Sequence, residues 1–231
     1  MKAHTGTKHL LINMKYIILT AFIGLLIFNS SCEINQEKQP EIIDKESDKD
    51  LDETLVAILD SIFYEDQNNR STTIDGNNSE GLREGIDRDS INRIKVTKIL
   101  DERGWLGSDV IGEQGNLTLF LVIQHSPIET QLKYLPMMRE AVKKGNARGI
   151  DLALLEDRVA LDQGKRQIYG SQIGKEEGTG IFFVFPIIDP ENVDKRRAEI
   201  GLQTLDEYIN FWGITWDIEE HKKLTKKMEN E

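Results

Sequence analysis

Apolar residues return at helical spacing in several stretches of the chain. In "DLDETLVAILDSIFYED", Leu51, Leu55, Ile58, Leu59 and Ile62 follow the three- and four-residue steps of one helix face. "DRDSINRIKVTKILDERG" sets Ile91, Ile94, Lys98 and Ile99 in the same order, with Asp89 or Ser90 as cap and Gly104 as stop. "ETQLKYLPMMREAVKKG" predicts a helix that Pro136 can kink. "GIDLALLEDRVALDQG" predicts another, closed by Gly164, and "DPENVDKRRAEIGLQTLDEYINFWG" a last one that starts near Pro190 and breaks at Gly201.

Two stretches depart from this period. "NLTLFLVIQH" is continuously apolar, which suits a buried strand or a buried helix equally. "RQIYG" and "IFFVFPI" favour extended backbone and flank the Gly-rich "SQIGKEEGTG", the pattern of a hairpin. The expected fold class is therefore mainly α with a small β-hairpin (α+β), a compact helical domain. Residues 66–86 are rich in Asn, Ser and Gly and read as a mobile loop, and "EEHKKLTKKMENE" reads as a solvated, charged end.

The N-terminus has a different character. Met14-Lys15 precedes "YIILTAFIGLLIF", 13 apolar or near-apolar residues, and then "NSSC". A short basic region, an apolar stretch and small residues make a targeting signal, and the stretch is short of the roughly 20 apolar residues that span a bilayer. Cys32 directly follows the small residues, an arrangement that resembles the lipobox of bacterial lipoproteins, although Phe28 and Asn29 depart from its usual residues. The expected organisation is a signal peptide over 1–31, with Met14 as an alternative start, and a lipidated Cys32 with an acidic tether over 32–50. A helix and loop over 51–86, a globular domain over 87–213 and a charged end over 214–231 follow. The expected location is the bacterial cell envelope, on the periplasmic side or at the cell surface, with the membrane as a partner through the lipid.

Composition narrows the chemistry. The chain of 231 residues is 39% hydrophobic and 30% charged, as in a soluble globular domain. Its net charge is −11, and removal of Lys2, Lys8 and Lys15 with the leader takes it to −14. Such a balance argues against nucleic acid, whose affinity comes from Lys and Arg on phosphates. Leader removal also takes His4 and His9, so His125 and His221 are the only imidazoles left, and a histidine-rich metal site is excluded. A carboxylate-rich site stays open, but no metal residues are singled out and no cofactor is expected. "GKEEGTG" lacks the terminal G-K-[ST] of a phosphate loop.

The candidate catalytic residues are His125 and Asp157. Ile150, Ala153, Leu154, Ala160 and Leu161 form an apolar stripe with Asp157 in its middle, where a carboxylate must be paired, hydrogen-bonded or protonated. It is either an acid, base or orienter of His125, or a structural carboxylate that caps the nearby turn. Arg158 lies on another face and can pair with Asp162 at i+4. His125 ends the apolar run beside Gln124, as a base or as a satisfied cap residue. No G-x-S-x-G elbow supplies a nucleophile. In "RQIYGSQIG", the uncharged Gln167, Tyr169 and Gln172 suit holding a glycan, peptide or amide, or else fastening the turn to the helices. Arg197, in "DKRR", can clamp an anion or serve a salt-bridged helix face.

The order "INRIKVTKILDERGW … IG … IQH … Q … LP … G … LALLEDR … G..QIYGSQ … VDKRRAEIGL" resembles a bacterial family of unknown function, DUF6624, over about residues 87–210. Its most specific elements here are Gln124-His125, Asp157-Arg158 and Gln167-x-Tyr169-Gly170-x-Gln172, with Arg197 and Gly201-Leu202 as a weaker one; Gln131, the lone Q of the pattern, joins Gln124, Arg158, Gln167, Tyr169, Gln172 and Arg197 as a candidate binding residue. Leu106 and Ser171 depart mildly from the Pro and Thr common at those places. The resemblance implies that these polar residues belong to one site or one core network, and it brings no activity with it. Three readings follow. The first is an envelope lipoprotein that binds a glycan, peptide or protein. The second is a hydrolase or transferase using His125 and Asp157, and the third an immunity or inhibitor protein.

Overall fold

The structure, a computed structural model, describes residues 16–19, 51–72 and 79–230. Cys32, the acidic tether at 33–50 and the predicted leader apart from 16–19 lie outside the described residues.

Five helices form the body: α1 (Glu53–Thr72), α2 (Ser79–Arg103), α3 (Ser108–Gln124), α4 (Ile128–Lys143) and α5 (Gly149–Asp162). The ambiguous apolar run is helix α3. It packs against α1, α2, α4 and α5, and every residue from Thr118 to Gln124 is buried. A helix enclosed on several sides needs no polar face, which is why its sequence shows no period. Gly112 (φ 70°, ψ 165°) interrupts its first turns in a conformation that favours glycine. Leu59 and Ile62 of α1, Val96 and Leu100 of α2, Leu119 and Ile123 of α3, Met138 of α4 and Leu155 of α5 share one core. Each side chain buried in this way contributes about 1.5–3 kcal/mol. Asn116 fastens two connections to α3, donating to the carbonyls of Leu106 and Asn146 at 2.7 Å each.

The second half builds on a three-stranded antiparallel sheet, β1 (Tyr16–Leu19), β2 (Ile173–Glu176) and β3 (Phe182–Val184), in that order. The β2–β3 hairpin confirms the expected one, and β1, from within the predicted leader, pairs along the other edge of β2. Alternation sorts the hairpin's side chains. Ile173 and Val184 join Ile187 and residues of α6 (Val193–Glu199) and α7 (Leu205–Ile209), whereas Phe183 and Phe185 join Leu161 and α8 (Ile218–Asn230). Gly174 stands opposite Phe183 in the register, and any Cβ there would overlap the Phe183 ring.

Several expectations change. "RQIYG" is not a strand: Gln167 alone bridges to Ile187, and Gly170 (φ 71°) turns the chain before β2 begins. Helix also reaches into 66–86, since α1 runs to Thr72 and α2 starts at Ser79. Ile91 and Ile94 are exposed, while Asn92, Val96, Ile99 and Leu100 face the core. The stripe expected on α2 holds at Ile99 and fails at Ile91, Ile94 and Lys98. The C-terminal end is not a solvated run but α8, whose His221, Leu224, Thr225 and Met228 keep i, i+3, i+4, i+7 spacing. His221 and Thr225 are buried, and Leu224 and Met228 pack on Phe183 and Phe185. Arg166 holds Glu229 at 2.8 Å and Lys222 holds Glu191 at 2.5 Å, closing the helix onto the domain.

Candidate functional site

The turn after α5 spends its polar groups on itself and on its neighbours. The Asp157 carboxylate, fully buried, accepts from the backbone N–H groups of Ile168 (2.6 Å), Tyr169 (3.0 Å) and Ser171 (2.9 Å). Gln167 closes the same turn internally. Its Oε1 accepts from the Gln172 N–H at 2.8 Å, and its Nε2 donates to the carbonyls of Gln172 (3.2 Å) and Phe185 (2.8 Å). Gln172 donates to the Ser171 hydroxyl at 3.1 Å and to the Leu154 carbonyl at 3.4 Å.

Two further elements grip the carbonyls. Arg197 on α6 is buried and donates to the carbonyls of Tyr169 (2.6 Å) and Gln203 (2.7 Å), with its guanidinium 4.9 Å from the Tyr208 ring centre. Arg196 donates to the Ile168 carbonyl at 2.9 Å, and Tyr208 to the Ser171 carbonyl at 2.8 Å. Burial pushes the Asp157 carboxyl above its ordinary range, and the N–H groups of Ser171, Tyr169 and Ile168 pull it back. Burial likewise pushes Arg197 down, against the pull of Tyr208, Asp194 and Asp157. Every contact to Asp157 comes from a donor, the complement of an ionised carboxylate.

This network is a folding device. Asp157, Gln167, Tyr169, Gln172 and Arg197 converge in it. The Tyr169 backbone is fully engaged, and burial raises the pKa of its side chain. Gly170 is needed for its backbone: a Cβ there would stand 2.8 Å from Ile187 Cδ1 and 3.0 Å from Leu205 Cδ1. Gly170→Ala is expected to lower stability by about 2 kcal/mol, from the left-handed backbone and the crowding together. The shift of a urea midpoint measures it.

His125 is elsewhere. It caps α3, and its Nδ1 lies 3.2 Å from Asp66 Oδ1 near the end of α1, with both side chains largely buried. Asp157 spends its carboxylate on the turn, and the carboxylate that meets His125 is Asp66. Asp66 was missed inside a stretch read as loop. Yet it continues the face of Leu59 and Ile62 in three- and four-residue steps, a signal already present in the sequence. Gln131 fixes the segment beneath His125 by donating to the carbonyls of Gln124 (3.1 Å) and Ser126 (2.8 Å).

Beside this pair lies an open cleft of about 550 Å³. His125, Gln131 and Arg158 line it together with Arg93, Asp89 and Asp162. Burial pushes the Asp162 carboxyl up while Arg158, the expected i+4 partner, pulls it down. Consecutive residues on α5 therefore divide the labour: Asp157 points into the turn and Arg158 lines the cleft. The Gln131 Oε1 is buried and has no hydrogen-bond partner among the described residues. Gln124 is buried at the end of α3 behind His125. Among the described residues, no helix is long and apolar enough to cross a membrane, and no group of His, Cys, Asp and Glu side chains is arranged to hold a metal ion.

Fold and site together define an α+β domain in which a five-helix body carries a clamped hairpin turn, with a polar cleft between α2, α3, α4 and α5. The chain belongs to DUF6624, described as a family of unknown function, which matches residues 49–219. The match starts well before residue 87, so α1, and Asp66 with it, is part of the family domain. No curated protein and no solved structure matches the chain.

Proposed function

We propose that the chain is a cell-envelope lipoprotein, anchored through Cys32, whose family domain binds a peptide or amino-acid-type ligand in the His125 cleft. The observation that carries the reading is the buried Gln131 Oε1, an acceptor without a partner among the described residues, in the wall of an open cleft. Buried polar atoms are nearly always satisfied, and one left over in a cleft wall matches a donor on a ligand. Walls that carry both Arg93 and Arg158 and both Asp89 and Asp162 suit a ligand with charges of both signs. The anchor rests on the order of basic, apolar and small residues before Cys32.

Titration of the detergent-solubilised full chain with the tripeptide Ala-Ala-Ala, followed by NMR, is expected to move the resonances of His125, Gln131 and Ile128 together. Unmoved cleft resonances at saturating peptide would sink the binding reading. Incorporation of radiolabelled palmitate in a bacterial host, lost in Cys32→Ser, tests the anchor.

The His125–Asp66 contact favours a second reading, a hydrolase or transferase in which Asp66 takes the orienting role first given to Asp157. A carboxylate only accepts, so Asp66 selects the tautomer with the proton on Nδ1 and leaves Nε2 as the basic nitrogen. In that case, turnover of an ester or amide substrate falls at least 100-fold in His125→Ala and less in Asp66→Asn.

A further inference from the structure

β2 has two edges, and only one of them meets β3. The Glu176 N–H donates to the Ile181 carbonyl at 2.9 Å, and just before the strand the Phe185 N–H donates to the Gln172 carbonyl at 3.4 Å. Backbone direction alternates along an antiparallel strand. Gly174 therefore bonds toward β3 as well, whereas Ile173 and Lys175 turn their N–H and C=O groups to the opposite edge. There the register sets Ile17 of β1 against Lys175 and Leu19 against Ile173.

The strand on that edge comes from outside the family domain. The family match at residues 49–219 includes β2 and β3 and not β1. β1 also lies within the leader that processing before Cys32 takes away, and its loss leaves the outward groups of Ile173 and Lys175 without their strand. Natural proteins guard an unpaired edge with charged side chains. The two charges of β2 are held within the hairpin instead. The Lys175 Nζ lies over the Phe182 ring, 5.3 Å from its centre, and Glu176 accepts from the Thr179 hydroxyl at 2.7 Å.

The hairpin selects what the edge takes. Both of its faces are apolar, with Ile173 and Val184 on one and Phe183 and Phe185 on the other. A strand added between two apolar faces reads as a continuous apolar run, and "YIIL", the sequence of β1, is one. The tether at 33–50 has no apolar run longer than Ile42-Ile43, and β2 of a second copy would bring Lys175 and Glu176. Neither matches the strand that the structure seats there.

Resting on the reading that the leader is removed before Cys32, we propose that the outer edge of β2 is a strand-addition site. It takes an extended apolar segment of a partner protein in the antiparallel register that β1 occupies. Main-chain hydrogen bonds to Ile173 and Lys175 supply the affinity, and the demand for an uncharged run supplies the selectivity. The leader strand fills the site until processing opens it.

The test uses the full chain with Cys32→Ser, which carries no lipid, and the synthetic peptide MKYIILTAF, residues 14–22. Ile17→Pro removes an N–H from the strand that fills the edge. In that variant the backbone amides of Ile173 and Lys175 are expected to exchange with solvent at least 10-fold faster than in the parent. The peptide is expected to restore their protection. It should bind the variant at least 10-fold more tightly than the parent, where the tethered strand competes at a high effective concentration. A peptide with proline in place of Ile17 is expected to do neither, which separates strand pairing from the adhesion of an apolar peptide.

Equal binding of the two peptides, or no binding to Ile17→Pro, overturns the proposal. So do amides that stay protected in Ile17→Pro without peptide, which would give the edge to another segment of the chain. A doubled mass of Ile17→Pro by light scattering would give it to a second copy and overturns the proposal too. The mass of the chain with Cys32 intact, recovered from a bacterial host, reads the processing. Retention of residues 1–31 overturns the proposal, because the edge is then permanently filled, whereas their loss without peptide binding overturns the docking alone and leaves the anchor standing. If Ile17→Pro does not fold, competition of the two peptides with β1 in the parent, read at the same two amides, decides alone.

Discussion

Asp157→Ala is expected to lower the stability of the chain by about 4 kcal/mol and to loosen the turn at 167–172. The substitution leaves the N–H groups of Ile168, Tyr169 and Ser171 without their acceptor at a site closed to water. Each unsatisfied buried donor costs about 1–3 kcal/mol, reduced where the turn can relax toward solvent. Arg197 adds to this, because Asp157 is among the groups that favour its charge in a buried place. Breaking a buried charge arrangement from one side costs about 3–5 kcal/mol. Asp157→Asn keeps one acceptor oxygen but turns an amide donor against backbone donors, and about 2–3 kcal/mol is expected for it. Asp162→Ala, on the exposed side of the same helix, is the control and should stay within about 0.5 kcal/mol. Urea denaturation followed by far- and near-ultraviolet circular dichroism reads all three. A loss below about 1 kcal/mol in Asp157→Ala would show that the turn does not depend on this carboxylate.

The same geometry explains why a constellation so conspicuous in the sequence contains two structures. His125, Asp157, Gln167, Tyr169 and Gln172 are all polar residues set beside apolar runs, and sequence gives no measure of which way each points. On α5, Asp157 and Arg158 are adjacent in the chain but about 100° apart around the helix axis. One faces the turn and the other lines the cleft beside His125. The turn therefore acts on the cleft only indirectly, by holding the end of α5 in place. The glutamines, which suggested ligand contacts, fasten the turn instead: Gln167 bonds backbone groups of Gln172 and Phe185, and Gln172 donates to the Ser171 hydroxyl and the Leu154 carbonyl.

How far the sequence was legible follows from which signals are local. The helices α2, α4 and α5 and the presence of a hairpin were legible because period, caps and glycines act within a few residues, whereas the unbroken apolar run of α3 suited a strand as well as a helix. The phase on α2 was not, since Ile91 and Ile94 look like core residues while the fold buries Asn92 beside Val96. Asp66 was lost for the opposite reason. A polar residue at the end of an apolar stripe reads as the stripe's end, and only the packing of α1 against α3 shows that the buried face continues to His125. α8 shows the same limit: its many charges hide a narrow face made of His221, Leu224, Thr225 and Met228.

That narrow face makes the fold sensitive to acid. His221 Nε2 accepts from the Ile187 N–H at 3.2 Å, and its ring lies 5.0 Å from that of Trp216. A protonated imidazole would set a donor against a donor. Burial, with Arg166 nearby, pushes the His221 pKa down from 6.5 to about 4. The unfolded chain therefore binds a proton that the folded chain refuses as pH falls below about 6.5, and stability rises with pH across this window. The contribution is fully present above 6.5 and is lost progressively down to about 4. It amounts to about 2 kcal/mol by pH 5, at 1.36 kcal/mol per pKa unit. In urea melts at pH 7 and pH 5, His221→Gln, whose amide oxygen can still accept from Ile187, is expected to lose about 2 kcal/mol less than the parent chain. α8, which His221 pins, covers Phe183 and Phe185, so acid should release α8 first and expose the far face of the hairpin while the five-helix body remains. An identical pH dependence in parent and variant would show that His221 is not the group that makes the fold acid-sensitive.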